Sequence, residues 1–283
     1  MKLYKYVPAE RATFFEDRLV RFTQPSLLND PFELSAQVDV TLPLAKTVEI
    51  MSSLLPDLVA SVNMGPKSGD LDAVAAMVVS LTGGLYDAID QTMDDLGTNL
   101  PGVLERRIGV FSLSETATDR LMWAHYAEGG RGFVIEFDTV HPFFNTDADD
   151  DDSPTVLRQV LYTNSRPHGA ISMPLEENDT KLLDALLFTK PSDWAYEREW
   201  RVIGELCTAS ETLSHKDGPI CLFEVPTECI TGVVFGQKMP QEPRDRIIRA
   251  LAANDGFRSV TISEVVPVSV SYEVEIHPIS RGS

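Results

Sequence analysis

Trp194-Ala195-Tyr196-Glu197-Arg198-Glu199-Trp200-Arg201 places two carboxylates one residue apart among three large aromatics and two arginines. Such a segment can present two acids and a guanidinium together as a site, and the same residues can build a structural ion-pair network. If the segment is extended, alternation puts Glu197, Glu199 and Arg201 on one side and Trp194, Tyr196, Arg198 and Trp200 on the other. If it is helical, Trp194, Glu197 and Arg201 share a face, and Glu197 to Arg201 is a favourable pair four residues apart. Both readings stay open at this level.

Further clusters fall where apolar runs end. Tyr4-Lys5-Tyr6 opens the chain, with Arg21-Phe22 and the turn-forming Asn29-Asp30-Pro31-Phe32-Glu33 downstream. Asn29 and Asp30 can bond nearby backbone and Pro31 fixes φ, so this stretch reads equally as a rigid loop or as part of a site. Phe111-Ser112-Leu113-Ser114-Glu115 ends in Ser112 and Ser114, whose hydroxyls point the same way on a strand. They can hold a ribose or an amide, or cap the helix that follows. That helix carries Met122-Trp123-Ala124-His125-Tyr126, in which Met122 and Tyr126 share a face while Trp123 and His125 turn elsewhere. A lone histidine is more often structural than catalytic. Gly129-Gly130-Arg131-Gly132 precedes a strand rather than a helix, so it is a turn and not a phosphate loop.

The elements that must position these groups follow from periodicity. Strands are expected at Leu3–Val7, Leu19–Phe22, Ile108–Leu113, Gly132–Asp138, Val156–Thr163, Trp200–Leu206, Ile220–Val225, Ile230–Phe235 and Val265–Val274. Helices are expected at Ala9–Phe15, Asp119–Ala127, Thr180–Thr189 and Gln241–Asn254. Strands and helices do not alternate regularly, which predicts an α+β fold with a largely antiparallel or mixed sheet. Residues 43–100 carry apolar residues at helical spacing, interrupted by Gly83-Gly84, and read as a helical insertion within a single domain spanning 1–283. Asp147 to Asp152 is an acidic run whose spacing does not match an EF-hand loop.

Composition limits the partners. The 283 residues are 43% hydrophobic, ample for a packed core, and carry a net charge of −19. Such a charge repels a phosphate backbone, so extended nucleic-acid binding is not expected. Arg18, Arg21, Arg131, Arg198 and Arg201 could still form a local basic pocket for a small phosphorylated ligand. No run approaches the ~18 apolar residues of a membrane span, and the first residues lack a signal-peptide core, so a cytoplasmic location is expected. Cys207, Cys221 and Cys229 fit no zinc or disulfide spacing and read as buried thiols. No metal site is expected.

The order Leu-Tyr-Lys-Tyr, Asn-Asp-Pro-Phe-Glu, Phe-Ser-x-Ser-Glu, Met-Trp-x-His-Tyr-Ala, Gly-Phe-Val-Ile-Glu-Phe, Val-Leu-Tyr and Trp-x-Tyr-Glu-x-Glu-Trp-Arg resembles the bacterial DUF2971 family along nearly the whole chain. The resemblance implies a bacterial or phage-related cytosolic protein, with relatives near toxin or defence loci. An arginine on an early strand, a serine-bearing strand and Glu-x-Glu before another strand are also similar to the R-S-E pattern of ADP-ribosyltransferases. That similarity implies NAD as substrate, Arg21 bracing its phosphates and ribose, Ser112 or Ser114 ordering the nicotinamide side, and Glu199 as the catalytic carboxylate that bonds the ribose hydroxyl and stabilises positive charge at the sugar. Glu197 would orient an unknown macromolecular acceptor. Tyr4, Asn29, Trp123, His125, Tyr126, Trp194, Tyr196 and Arg201 would line the cofactor site, aromatics stacking on nicotinamide or adenine.

Other readings compete with this one. The same side chains could serve a non-catalytic sensor of a nucleotide or other small molecule. A serine hydrolase would need Ser112 or Ser114 with His125 and an acid such as Asp138, without a G-x-S-x-G elbow to support it. A metal-dependent nuclease would draw on Asp30, Glu33, Glu197 and Glu199, against the acidic surface.

Overall fold

The computed structural model describes residues 1–30, 38–41, 46–50, 53, 89, 91, 93, 102, 104–144, 156–172, 177–216 and 218–280. The strands in chain order are β1 (Lys2–Val7), β2 (Leu19–Phe22), β3 (Val38–Thr41), β4 (Ile108–Ser114), β5 (Phe133–Asp138), β6 (Val156–Gln159), β7 (Leu161–Thr163) and β8 (Gly169–Ser172). They continue as β9 (Thr189–Pro191), β10 (Glu199–Glu205), β11 (Glu211–Leu213), β12 (Ile220–Glu224), β13 (Ile230–Phe235), β14 (Thr261–Pro267) and β15 (Val274–Pro278). Helices lie at Phe14–Asp17, Arg120–Tyr126, Glu177–Phe188 and Gln241–Ala253. The fold is α+β.

Two compact units are defined by contacts along the chain. The larger comprises Met1–Glu33, Leu104–Ser165 and Phe188–Ser283, and the smaller Leu34–Val103 and Arg166–Leu187. In the smaller unit β3 pairs parallel with β8. The larger unit holds an eight-stranded sheet in the order β15-β14-β13-β5-β1-β4-β10-β6. Its pairs are antiparallel except β13 with β14, which run parallel. The connection between those two contains the Gln241–Ala253 helix, the crossover that parallel neighbours require. A smaller sheet, β11-β12-β2, and the pair β7-β9 complete this unit.

Strand position explains sequence pattern. Phe133, Val134, Ile135 and Phe137 of central β5 are all at most 1% exposed, so this strand is apolar on both faces. One face of the sheet packs Leu3, Phe111, Leu113, Phe137 and Val202 with Phe14, Phe15, Phe22 and Phe257. Edge-to-face contacts such as Phe111 on Phe137 and Phe15 on Phe257 tie these rings together. The other face packs Tyr6, Val134, Val234 and Val265 under Met122 and Trp123 of the Arg120–Tyr126 helix. Asp119 caps that helix, accepting from the backbone N–H of Leu121 and Met122. Gly132 lets β5 start against Val7, whose carbonyl oxygen would lie 2.1 Å from any added Cβ.

The structure corrects the sequence reading in several places. Val265–Val274 is not one strand: β14 ends at Pro267 and a turn closed by Val268 N–H to Glu273 O leads into β15. Proline cannot continue the ladder, so the apolar run folds back as a hairpin. Val156–Thr163 divides at Val160, β6 pairing with β10 and β7 with β9. Ser114 does not cap the following helix, since Asp119 takes that role. Cys221 and Cys229 are buried, but Cys207 is exposed. The helical spacing over 43–100, Phe32 and Glu33, and the acidic run 147–152 lie largely or wholly outside the described residues. Among the described residues no helix is long and apolar enough to cross a membrane.

Candidate active site or ligand pocket

Three strands bring the chemistry into one row. Tyr4 of β1 and Glu199 of β10 are both register partners of Ser114 on β4, so the three side chains project from the same face. One step along β4, Ser112 faces Arg201. β1 pairs with β5 along its whole length but meets β4 at Tyr4 with Ser114. Further along, β4 pairs instead with Thr23, through Val110. The sheet therefore opens between β1 and β4, and the Lys5 amine fills the gap by donating to the Ser112 carbonyl at 2.9 Å over the Phe111 ring.

The Trp194–Arg201 segment is neither one helix nor one strand. Ser192–Glu197 is a 3-10 helix, Arg198 adopts a left-handed conformation at φ 44, and Glu199 starts β10. The left-handed residue turns the chain so that Glu197 and Glu199 both reach the same buried cation. Lys190, 2% exposed, donates to Glu197 Oε2 at 2.5 Å and to Glu199 Oε2 at 3.1 Å. Its amine also lies over the Trp194 ring and 3.5 Å from Asn29 Oδ1. Arg201, fully buried, grips Glu199 with Nε at 2.8 Å from Oε1 and a terminal nitrogen at 3.1 Å from Oε2. Tyr126 donates to Glu197 Oε1 and accepts from the Asn29 amide at 2.6 Å. Ser114 donates to the Glu197 carbonyl at 2.6 Å, and the Tyr162 hydroxyl accepts from the Glu199 backbone N–H at 2.8 Å.

Electrostatics follow from this packing. Burial would raise the Glu199 carboxyl, but the charges of Arg201 and Lys190, with hydrogen bonds from Arg201 and Ser112, hold it at about 2. Burial lowers the Lys5 amine to about 8 although Glu199 and Glu197 favour its charged form. Burial, then the hydrogen bond and charge of Glu197, push the Tyr126 phenol above its ordinary value. Two buried acidic and two buried basic side chains thus pair within one cluster.

Above the cluster lies a pocket of about 690 Å³, open solvent at its mouth included. Tyr4, Asn29, Ser112, Ser114, Tyr126, Glu197 and Glu199 of the expected site residues line it, together with Lys5, Tyr6 and Lys190. Arg201 lies behind Glu199, with no exposed surface. Trp194 stacks on Lys190, and Tyr196 bonds His125 Nδ1 at 2.9 Å at the exposed side. Trp123 does not line the pocket: it packs edge-on against Tyr6, donates to the Ala117 carbonyl and is 6% exposed. Arg21 lines a separate neighbouring cavity. Arg18 pairs with Glu224 at the surface, while Arg131 and Arg198 are exposed. The hydrolase arrangement finds no support, since His125 bonds Tyr196, Ser114 bonds the Glu197 carbonyl, and Asp138 bonds the chain's first residue and Val140. Among the described residues no group of three or more His, Cys, Asp or Glu side chains could hold a metal ion.

Sequence reading missed the cation at the centre. Lys190 sits in Thr189-Lys190-Pro191 with no motif around it, and its only sequence cue is its short distance from the Glu-x-Glu pair. Lys5 was visible within Tyr-Lys-Tyr, but nothing local tells that its amine bridges a gap between strands. Tyr162, within Val-Leu-Tyr, supports Glu199 through the backbone.

The protein is thus of the α+β class, with a mixed sheet that opens over a buried Lys-Glu-Glu-Arg cluster. Residues 122–202 match the model of the family described as a protein of unknown function, DUF2971, which bears out the resemblance for the motifs within that span. The matched span takes in Tyr126, Lys190, Glu197, Glu199 and Arg201, and leaves Lys5, Arg21, Ser112 and Ser114 outside it. No curated protein and no solved structure matches the chain significantly.

Proposed function

We propose that the pocket binds a sugar-bearing small molecule of the nucleotide class and that the protein works as its sensor. The observation that carries this reading is the pairing of every pocket acid with a fixed donor. Glu199 is held ionised by Arg201 and Lys190, and Glu197 accepts from Lys190 and Tyr126, so both carboxyl groups are fixed in place as acceptors. Ionised carboxylates, serine and tyrosine hydroxyls and the Asn29 amide are the groups that recognise vicinal sugar hydroxyls. Tyr4 and Tyr126 add aromatic surface for a base or ring.

A second reading, NAD cleavage of the ADP-ribosyltransferase kind, draws on a specific arrangement: Glu199, Ser112 and Ser114 line one pocket with the carboxylate permanently charged. In that reaction the bond from C1′ to the nicotinamide nitrogen breaks and its electron pair leaves with nicotinamide. Glu199 stabilises the positive sugar, and an acceptor or water adds at C1′ and loses a proton. A macromolecular acceptor and a toxin or phage-defence role belong with this reading. The charges of Arg201 and Lys190 oppose such stabilisation, which is why binding is preferred.

Calorimetry with NAD and adenosine, alongside an assay for free nicotinamide, separates the readings. Saturable binding without nicotinamide release is expected, weakened at least about fivefold by Asn29→Ala and by Ser112→Ala, variants outside the ion pairs. Nicotinamide release abolished by Glu199→Gln or Ser112→Ala would establish catalysis instead. Absence of binding by either compound would overturn both.

A further inference from the structure

Two lysines line the acid pocket, and their surroundings differ. Lys190 is ion-paired to Glu197 at 2.5 Å and to Glu199 at 3.1 Å. Lys5 has no ion pair among the described residues, and its amine donates only to the Ser112 carbonyl at 2.9 Å. Strand alternation sends Lys5 to the face opposite Tyr4, where its amine lies 5.1 Å from the centroid of the buried Phe111 ring. From there it turns into the gap between β1 and β4. It thus forms part of the pocket wall on one side and of a second cavity on the other, whose neighbouring walls include the apolar Phe14, Val20, Phe111 and Ile135. Burial on that apolar side lowers the amine to about 8, although Glu199 and Glu197 favour its charged form. A lysine desolvated in this way carries a free lone pair near neutral pH far more often than a surface lysine does.

We propose that Lys5 is a nucleophile that condenses with the aldehyde carbon of a small hydroxyaldehyde held in the acid pocket. This covalent capture stands on the pocket's polar walls and does not need the nucleotide reading. The Nζ lone pair attacks the carbonyl carbon, and the π pair moves to oxygen, which takes up a proton as the nitrogen gives one up. The carbinolamine then loses its hydroxyl with the remaining nitrogen proton as water, and the nitrogen lone pair closes the C=N bond. No oxidant or reductant is consumed. The hydroxyl beside the aldehyde is met by the Glu199 and Glu197 carboxylates, the Ser112 hydroxyl and the Asn29 amide across the pocket. Lys190, paired to both acids, is the poorer nucleophile.

Glycolaldehyde with sodium cyanoborohydride tests this near neutral pH, the reductant delivering hydride to the imine and fixing an amine that peptide mass mapping locates. Lys5 is expected to be labelled at least about tenfold faster than the exposed Lys2 and Lys238, as its larger free-base fraction implies, with a rate that saturates in glycolaldehyde. Acetaldehyde, which lacks the hydroxyl, should show no saturation and a smaller preference for Lys5 over Lys238. Asn29→Ala should weaken the saturation with glycolaldehyde and leave the acetaldehyde rate unchanged, a split that a merely reactive amine would not give. Lys5→Arg should lose the label at this position while Lys2 and Lys238 keep theirs; should that variant not fold, the wild-type rates decide. Labelling of Lys5 no faster than Lys238, preferential labelling of Lys190, or equal behaviour of the two aldehydes overturns the proposal. Nucleotide binding is read separately by calorimetry with NAD and adenosine, so loss of either result leaves the other standing.

Discussion

Glu199 and Lys5 carry opposite consequences of the same burial. Glu199 is depressed to about 2 from an ordinary 4.5, so its ionised form is favoured by the fold. Its contribution is fully present above the unfolded value and is lost as pH falls from about 4.5 through 2, amounting to about 3 kcal/mol. Acid unfolding followed by circular dichroism should show this loss in the wild type. Glu199→Gln should be destabilised at neutral pH by about 3–5 kcal/mol, because Arg201 and Lys190 lose a buried counter-charge. Its stability should then be flatter over the acid window; an unchanged acid slope would show that Glu199 titrates normally. Lys5 is depressed to about 8 from 10.5, so the folded state binds fewer protons than the unfolded chain between those values. Stability should therefore rise with pH across that window. Reductive methylation with labelled formaldehyde and NMR titration should place the Lys5 methyl signals near a midpoint of about 8, with Lys5→Arg giving the assignment. A midpoint at the surface-lysine value would refute the burial of its amine.

At the scale of elements, the site depends on a capped helix and one left-handed residue. Asp119→Ala removes the acceptor for Leu121 and Met122 N–H and should cost about 1 kcal/mol by thermal unfolding. It should also weaken ligand binding, because the capped helix holds Tyr126 against Glu197. Arg198 is exposed at φ 44, so its substitutions report on backbone strain alone. Arg198→Gly should be close to neutral, whereas Arg198→Val should cost about 1–2 kcal/mol and separate Glu197 from Lys190. Equal stability of the two variants would show that the turn is not strained. Most of the strands were legible because alternation and apolar runs reflect burial directly: Ile230–Phe235 and Leu19–Phe22 stand where periodicity places them. The hairpin after Pro267 was not, since its two strands form one apolar stretch and the turn residues between them carry no glycine. The cluster was half legible. Glu197, Glu199 and Arg201 announce themselves by crowding, but Lys190 becomes their partner only through the fold, and the local backbone turn at Arg198 has no sequence signature because arginine is not a usual left-handed residue. Trp123 looked like a stacking wall and is a core residue, since a tryptophan one position from the pocket face of a short helix turns into the sheet.

For the molecule as a whole, charge acts at two ranges that oppose each other. The net −19 repels any anionic ligand at distance, while the cations lining the pocket, Lys5 and Lys190, act on it only within a few ångströms. At about 10 mM salt the screening length of roughly 30 Å lets the whole-molecule field reach an approaching nucleotide, and at about 150 mM it shrinks to roughly 8 Å. Added salt therefore removes the long-range repulsion before it weakens contacts inside the pocket. The association rate of ADP, measured by stopped flow, should rise severalfold between these conditions, while dissociation changes little. This is the reverse of the behaviour of a basic nucleotide-binding surface, whose association slows with salt. An association rate that falls with salt would mean that the cations of the pocket govern the approach as well as the contact.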